Sequence, residues 1–124
     1  MEQQSDKIKI GRLGEKLATE FLRNNGAQVI DKNFYTRFGE IDLIARIGDE
    51  ILFCEVKART SAEYGFPELA VDRKKTEHLI KAIGIYLAEK KISAFWRLDV
   101  VAVELDVVKR SARMRWFKDV SRSQ

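Results

Sequence analysis

The chain has 124 residues, of which 45% are apolar and 34% are charged. This balance predicts one globular domain over residues 1–124 and excludes a disordered chain. No apolar run approaches the roughly 18 residues of a transmembrane helix, and the polar N-terminus lacks the apolar segment of a signal peptide, so we expect no membrane association. A single cysteine and a single histidine exclude an internal disulfide and a zinc site rich in either residue. The lone cysteine also favours the reducing cytoplasm.

The net charge of +4 is confined to the C-terminal segment. Residues 1–105 carry equal numbers of acidic and basic side chains, so the whole excess lies in residues 106–124. A basic terminal segment can bind phosphate groups, or it can simply be solvated. Any affinity of the rest of the domain for nucleic acid must therefore come from local clusters of cations.

Hydrophobic periodicity predicts the element order α-β-β-β-α-β, with one further strand near the C-terminus. The first helix is predicted over residues 8–24, although Gly11 and Gly14 favour a later start. Its apolar stripe consists of Ile10, Leu13, Leu17 and Phe21. The other predicted elements are strands at 27–35, 40–47, 50–58 and 95–105, a helix at 67–91, and an edge strand at 112–117. This order predicts an α/β domain in which helices flank a mixed sheet.

The second and third strands are predicted to form a hairpin that carries acidic residues. A turn centred on residues 48 and 49 makes the positions of every opposed pair sum to 97, so that Asp42 faces Glu55 and Glu40 faces Lys57. Directly opposed residues have Cβ atoms about 4.5–5.5 Å apart. Strict alternation along residues 40–47 predicts two faces, one with Ile41, Leu43 and Ala45 and the other with Asp42, Ile44 and Arg46.

Two opposed carboxylates destabilise a sheet unless something offsets their repulsion. A shared proton, a neighbouring cation or a divalent metal would do so, and oxygen ligands favour Mg²⁺ or Mn²⁺ over zinc. Alternatively, Asp42 and Glu55 are solvated, and Glu40 forms a surface ion pair with Lys57 worth about 0–1 kcal/mol. Apolar residues on the same predicted face favour partial burial. For joint metal binding, the oxygens of Asp42 and Glu55 must lie on one side of the sheet.

The sequence blocks GEIDLIA at 39–45 and FCEVKAR at 53–59 resemble the uncharacterised YraN-like family, UPF0102. That family is similar to the PD-(D/E)XK nuclease superfamily, which has the restriction-endonuclease-like fold and includes archaeal Holliday junction resolvases. The shared pattern is an Asp, a spacer of about a dozen residues and Glu-x-Lys, here Asp42, twelve residues and then Glu55-Val56-Lys57. Further matching positions are Gly11, Gly14, Glu15, Asn33, Phe66, Ala70, Val71, Lys75, Tyr86, Leu87, Arg97 and Asp99–Val101.

The resemblance implies a restriction-endonuclease-like αβββαβ core with a Mg²⁺ or Mn²⁺ site. Asp42 and Glu55 would be metal ligands together with the carbonyl oxygen of Val56. Lys57 would orient the attacking water or stabilise charge on the phosphoryl group, and Glu15 would reach the site from the first helix. Without the resemblance, Glu15 is interpreted as a solvated glutamate or as one partner of a helical ion pair with a lysine.

Basic side chains near these positions are candidate contacts to nucleic acid. They are Arg37, Arg59, Lys74, Lys75 and Arg97. Many superfamily members carry a Gln or Lys on the helix after the Glu-x-Lys strand. In this chain Lys74 and Lys75 are followed by Thr76 where relatives often have Gln, and a solvated basic helix face explains the two lysines equally well.

The resulting expectation is a cytoplasmic, metal-dependent endonuclease that hydrolyses phosphodiester bonds in DNA, with branched or damaged DNA as candidate substrates. The alternative is a non-catalytic nucleic-acid-binding module with the same fold, and a third interpretation is an interaction protein in which the acidic pair is a fold feature. The aromatic residues of the edge segment 112–117 also suggest a homodimer, by analogy with enzymes that cut both strands of a duplex.

Overall fold

The computed structural model describes residues 2–60 and 73–120. The elements are α1 (Glu2–Asn24), β1 (Gln28–Thr36), β2 (Gly39–Ile47), β3 (Glu50–Thr60), α2 (Arg73–Lys90), β4 (Phe95–Asp106) and β5 (Ser111–Phe117). The predicted element order and α/β class are confirmed. The start of the predicted second helix at 67–72, and the matching positions Phe66, Ala70 and Val71, lie outside the described residues.

The strands form one five-stranded sheet in the order β1-β2-β3-β4-β5. All neighbouring pairs are antiparallel except β3 and β4, which are parallel. Parallel neighbours need a crossover connection, and α2 lies in that connection. The mixed sheet agrees with an αβββαβ core, and β5 is an edge strand as predicted.

Two apolar clusters cover the two faces of the sheet, one beneath each helix. The α1-side cluster includes Ala18 and Leu22 of α1 with Leu43, Leu52, Cys54 and Val101 of the sheet. The α2-side cluster includes Ala82 and Ile83 of α2 with Ile44, Ile51, Phe53 and Leu98. Strand β4 is buried from Leu98 to Leu105, which confirms its predicted burial on both faces. No helix in the described ranges has the length and apolar character needed to cross a membrane.

The alternation predicted for β2 is wrong at Ile41. Ile41 and Ile44 both lie in the α2-side cluster, whereas Leu43 lies in the α1-side cluster. A regular strand would put residues 41 and 44 on opposite faces, so the alternation is interrupted between Ile41 and Leu43. The neighbouring strand β1 is also irregular, because Asn33 adopts φ 51°, a left-handed conformation that Asn tolerates better than most residues. The interruption falls at Asp42.

Helix α1 begins at Glu2, earlier than the two glycines led us to expect. The glycine that matters is Gly14, because a Cβ built at this position would lie 2.4 Å from Cβ of Ala58 on β3. Gly14 therefore permits a close approach between helix and sheet, and this packing outweighs its low helix propensity. The close approach sets the height of the adjacent Glu15 above the sheet.

Replacing Gly14 with Ala is expected to destabilise the domain by about 1–3 kcal/mol, since the added methyl overlaps a neighbouring Cβ that cannot rotate away. The control is Gly11→Ala on the same helix, where nothing lies within 4 Å of the added Cβ. Gly11→Ala should stabilise the domain by about 0.5–1 kcal/mol through helix propensity. Urea unfolding measures both changes, and equal effects at the two positions would contradict the close approach.

Candidate metal centre

The sheet divides between β2 and β3, and the candidate site lies at the point of division. The predicted register is confirmed from Ile47↔Glu50 to Leu43↔Cys54, where the pairing of β2 with β3 ends. Beyond this point β2 stays paired with β1 as far as Gly39, while β3 stays paired with β4 as far as Thr60. We call this point of separation the fork.

Asp42 is the first residue of β2 beyond the paired segment. Its Oδ2 accepts a hydrogen bond of 2.8 Å from the backbone N–H of Val56. The carboxylate thereby takes the role that a carbonyl of β2 would have in a continuous ladder, and it lies between the separating strands. The predicted pairs Asp42–Glu55 and Glu40–Lys57 are absent from the described pairing, because the strands separate before reaching them.

Three carboxylates meet at the fork: Glu15 from α1, and Glu40 and Asp42 from β2. One oxygen from each residue lies within 4.8 Å of the others, and we call this group the carboxylate cluster. Asn33 links two of its members, since its Nδ2 donates to Glu15 Oε1 at 3.0 Å and to Glu40 Oε2 at 2.7 Å. The amide of Asn33 therefore fixes two acidic side chains that would otherwise repel each other.

The electrostatics of the cluster favour a bound cation. Burial, with smaller contributions from the charges of Glu15, Glu40 and Glu55, raises the pKa of Asp42 to about 7 against the lowering effect of the Val56 hydrogen bond. The charge of Glu40 also raises the pKa of Tyr35, which is largely exposed beside it. Negative charge at the fork is thus incompletely compensated by the protein groups around Asp42.

The donor set of the cluster suits a hard divalent ion. Magnesium and calcium take oxygen ligands at about 2.0–2.6 Å, which puts ligand oxygens on opposite sides of the ion roughly 4–5 Å apart. Oxygens within 4.8 Å of one another can therefore contact one ion with small side-chain adjustments. The residues present could therefore hold a metal ion, and all of their donor atoms are carboxylate oxygens.

Glu55 lies on the α2 side of β3 and is largely buried, with 13% of its side chain exposed. It forms an ion pair with Lys75 of α2, so the described structure compensates this carboxylate separately from the carboxylate cluster. The charge of Glu55 nevertheless contributes to the raised pKa of Asp42. The ligand roles of Glu55 and of the Val56 carbonyl stay predictions.

The predicted basic residues occupy different surroundings. By strand alternation, Lys57 and Arg59 share the α2 side of β3 with Glu55. Lys74 lines a cavity of about 310 Å³ together with Phe38, Glu40, Lys75 and His78. Arg37 is exposed in the turn between β1 and β2, with its Cζ 4.9 Å from the centre of the Phe38 ring. This cavity opens beside Glu40 of the carboxylate cluster.

Arg97 lies apart from these residues, because alternation along β4 puts it on the α1 side with the buried Asp99. Its Nε donates to both oxygens of Asp99 at 3.0 and 3.1 Å, and its Nη1 contacts Glu50 Oε1 at 3.0 Å. The observed role of Arg97 is to hold two carboxylates within the domain. Contact of Arg97 with nucleic acid stays a prediction.

Two residues of the site were not assigned from the sequence. Glu40 was paired with Lys57, yet it lies in the carboxylate cluster, and its position two residues before Asp42 was a usable signal. Asn33 was noted only as a matching position. Its bridging role depends on the left-handed backbone at residue 33, which nothing in the local pattern indicates.

Comparison with known proteins identifies the family. The model of the uncharacterised protein family UPF0102 matches residues 14–103. The chain belongs to this family. UPF0102 proteins of Syntrophus aciditrophicus, Caldanaerobacter subterraneus and Persephonella marina are 44%, 38% and 39% identical over 79%, 82% and 75% of this chain. The alignments cover 78%, 84% and 81% of those proteins, respectively.

The span matched to UPF0102 includes every residue of the candidate centre, from Glu15 through Glu40, Asp42 and Glu55 to Lys57. It ends within β4, so β5 lies beyond it. The resemblance to UPF0102 noted from the sequence is therefore confirmed. The names of these relatives assign no activity.

Proposed function

We propose that this UPF0102 protein is a divalent-metal-dependent nuclease that hydrolyses phosphodiester bonds in DNA. The observation that carries the proposal is the carboxylate cluster, in which oxygens of Glu15, Glu40 and Asp42 lie within 4.8 Å of one another at the fork. The Asp-x₁₂-Glu-x-Lys pattern, which resembles that of PD-(D/E)XK nucleases, supports the assignment. The proposed compartment is the cytoplasm, in keeping with one buried, unpaired cysteine.

Glu15, Glu40 and Asp42 would hold Mg²⁺ or Mn²⁺, which supplies Lewis acidity at a phosphoryl oxygen and lowers the pKa of a bound water. Asn33 orients Glu15 and Glu40 through its two amide hydrogen bonds. The Val56 N–H fixes the third carboxylate. The three ligands are thus positioned by protein contacts before any substrate arrives, which reduces the cost of ordering them.

Lys57 and Lys75 supply the positive charge of the proposed site. Lys57 follows Glu55 by two residues on the same side of β3, where its ammonium can stabilise negative charge developing on a phosphoryl group. Lys75 is paired with Glu55. Lys75 also lines the cavity beside Glu40, so a phosphate oxygen bound in this cavity would lie close to its ammonium.

The second candidate is a DNA-binding module without turnover. The observation that favours it is the ion pair between Glu55 and Lys75. In this pair, Lys75 neutralises the carboxylate that was expected to complete the metal site. A module of this kind would bind DNA and a metal ion but would leave phosphodiester bonds intact. Metal binding and cleavage must therefore be measured separately.

Metal binding is tested by calorimetric titration of Mn²⁺ into the wild type, Glu40→Gln and Glu77→Gln. Glu40→Gln should weaken Mn²⁺ binding at least about tenfold, because it removes one anionic ligand and its charge. Glu77→Gln removes the same negative charge from an exposed glutamate of α2. This control should leave the affinity for Mn²⁺ unaltered. Equal Mn²⁺ affinity in all three proteins would rule out the carboxylate cluster as the metal site.

Cleavage is tested on duplex, single-stranded, flap and four-way DNA in the presence of Mn²⁺. Lys57→Met should reduce the cleavage rate about 10²–10³-fold, the usual loss when one group that stabilises transition-state charge is removed. The variant should retain Mn²⁺ binding, since Lys57 is not a ligand. Binding of DNA without cleavage by the wild type would favour the second candidate, and undiminished cleavage by Glu40→Gln would place the activity elsewhere.

A further inference from the structure

The edge strand β5 presents two arginines on the same side of the sheet as Lys57. Ala112, Met114 and Trp116 pack against the α1-side cluster. Successive residues of a strand point to opposite faces, so Arg113 and Arg115 lie on the α2 side. Both are exposed, and 69% of the Arg113 side chain is accessible to solvent. These arginines belong to the basic C-terminal segment and lie beyond the span matched to the family.

The strand register aligns the two arginines with the basic residues that follow Glu55 on β3. Lys57 pairs with Ala102, which pairs with Arg115. One step along the same face, Arg59 pairs with Glu104, which pairs with Arg113. Neighbouring strands are about 4.8 Å apart, so the backbones of the two cationic residues in each row lie about 10 Å apart. We call Lys57, Arg59, Arg113 and Arg115 the basic platform.

The platform is held together by contacts from its own strands. Arg113 Nη2 donates to Glu104 Oε1 at 2.8 Å, and Glu104 is buried with 6% exposure. The Cζ of Arg115 lies 5.1 Å from the centre of the Phe117 ring. A guanidinium carries five N–H donors in a fixed plane, which suits it to bind phosphate oxygens while another contact positions it.

The position of the platform connects it to the proposed catalytic site. The row before Lys57–Ala102–Arg115 on this face is Glu55–Val100–Phe117, so the platform begins at Lys57 and extends across β4 to the sheet edge. Helix α2 packs on β1 and β2, at the other side of this face. Within the two described rows, four cationic side chains accompany the carboxylate of Glu104, which gives these rows a local excess of positive charge.

We propose that the basic platform binds the phosphate backbone of the DNA strand adjacent to the bond that is cleaved, with Arg113 and Arg115 as positioning residues. This inference rests on the proposed nuclease function, because DNA is its ligand. Contacts to phosphates position a protein on nucleic acid without reading its sequence. Arg59, Arg113 and Arg115 therefore contribute affinity and register, while Lys57 also serves the cleavage chemistry next to the fork.

The test is DNA binding in EDTA, where cleavage is prevented, measured by fluorescence anisotropy on a labelled 20-base-pair duplex at several salt concentrations. Arg113→Gln with Arg115→Gln should weaken binding at least about tenfold. The dependence of log K on log salt should fall by about 0.9 for each lost phosphate contact. Arg115→Gln alone should give part of the loss, and it leaves the Arg113–Glu104 ion pair in place if the double variant proves unstable.

The matched control is Arg110→Gln with Lys118→Gln, which removes the same charge from the same C-terminal segment. Arg110 lines a groove that α1 forms with the turn between β4 and β5. The Nζ of Lys118 lies 4.5 Å from the centre of the Trp116 ring, so both residues are on the α1 side. The control should bind DNA within about twofold of the wild type. Equal losses of DNA affinity in the two double variants would overturn the platform, because net charge alone would then explain them. No loss of affinity in either variant would overturn it as well.

Failure of the platform can be distinguished from failure of the proposed function. If the wild type cleaves DNA with Mn²⁺ and the platform variant has an unchanged KM, the nuclease assignment survives and the platform is rejected. If DNA is never cleaved but binding depends on Arg113 and Arg115, the platform survives and the nuclease assignment is rejected. If the wild type binds no DNA at low salt, the platform is rejected outright.

Discussion

Asp42→Asn is expected to make the metal-free protein more stable than the wild type at pH 8, by up to about 4 kcal/mol. The folded protein raises the pKa of Asp42 to about 7 from the value of 3.8 for an unperturbed aspartate. Between these values the folded state retains a proton that the unfolded state has lost. The free energy of unfolding of the wild type therefore falls as the pH rises from about 4 to about 7. Above that range the loss caused by Asp42 has reached its full size.

The amide that replaces the Asp42 carboxylate in this variant can accept the Val56 hydrogen bond but carries no charge to desolvate. The difference between variant and wild type should consequently vanish near pH 4. Saturating Mn²⁺ should reduce this stability difference at pH 8. The ion binds the complete carboxylate cluster of the wild type more tightly than that of the variant, and so stabilises the wild type more. Urea unfolding between pH 4 and pH 8, with and without Mn²⁺, measures these changes, and Asp49→Asn in the exposed β2–β3 turn is the control. A variant less stable than the wild type at pH 8 would contradict the burial of charge at the fork.

Asp99→Ala is expected to destabilise the domain by about 3–5 kcal/mol, the cost of removing one partner from a buried ion pair. The Asp99 side chain has no solvent exposure. It accepts hydrogen bonds from Arg97 Nε, from Trp116 Nε1 at 2.8 Å and from the Asp119 N–H at 2.9 Å. Its loss would remove the acceptor of the Arg97 Nε–H, of the Trp116 Nε1–H and of the Asp119 N–H, although Arg97 would keep its contact with Glu50.

Asp99→Asn should cost less than Asp99→Ala, because one amide oxygen can replace part of the acceptor set. Asp6→Ala, at an exposed position of α1, is the surface control and should change the stability by less than about 0.5 kcal/mol. Unfolding midpoints in urea at constant pH compare the three variants. A loss for Asp99→Ala no larger than that of the control would mean that Asp99 does not anchor β5. Folded Asp99→Asn should bind Mn²⁺ like the wild type, since Asp99 is not a member of the carboxylate cluster.

The two tryptophans and the edge strand bear on the predicted dimer. Trp116 packs edge-to-face against Phe21 at 6.0 Å, and Trp96 packs against Phe53 at 6.0 Å. Both rings therefore contribute to the clusters beneath the helices. The homodimer suggested by the aromatic residues of segment 112–117 stays a prediction.

Local sequence predicted the element order and the hairpin register because both depend on periods that are visible along the chain. The turn at residues 48 and 49 sets the pairing from Ile47↔Glu50 to Leu43↔Cys54, and burial of one apolar set per face prevents a slip by one residue. The extrapolation failed one pair later, at Asp42 and Glu55. A hairpin rule cannot indicate where two strands stop pairing, since that depends on what lies on their other edges.

The sequence by itself determined an α/β domain of the UPF0102 family, with acidic residues near a hairpin and basic residues after it, because composition, periodicity and motif spacing are properties of the chain. Only the tertiary structure decided which carboxylates meet. Gly14 lets α1 approach β3, Asn33 joins Glu15 to Glu40, and the separating strands leave Asp42 between them. Each of these contacts joins residues from different elements, and their geometry is fixed by packing across the sheet.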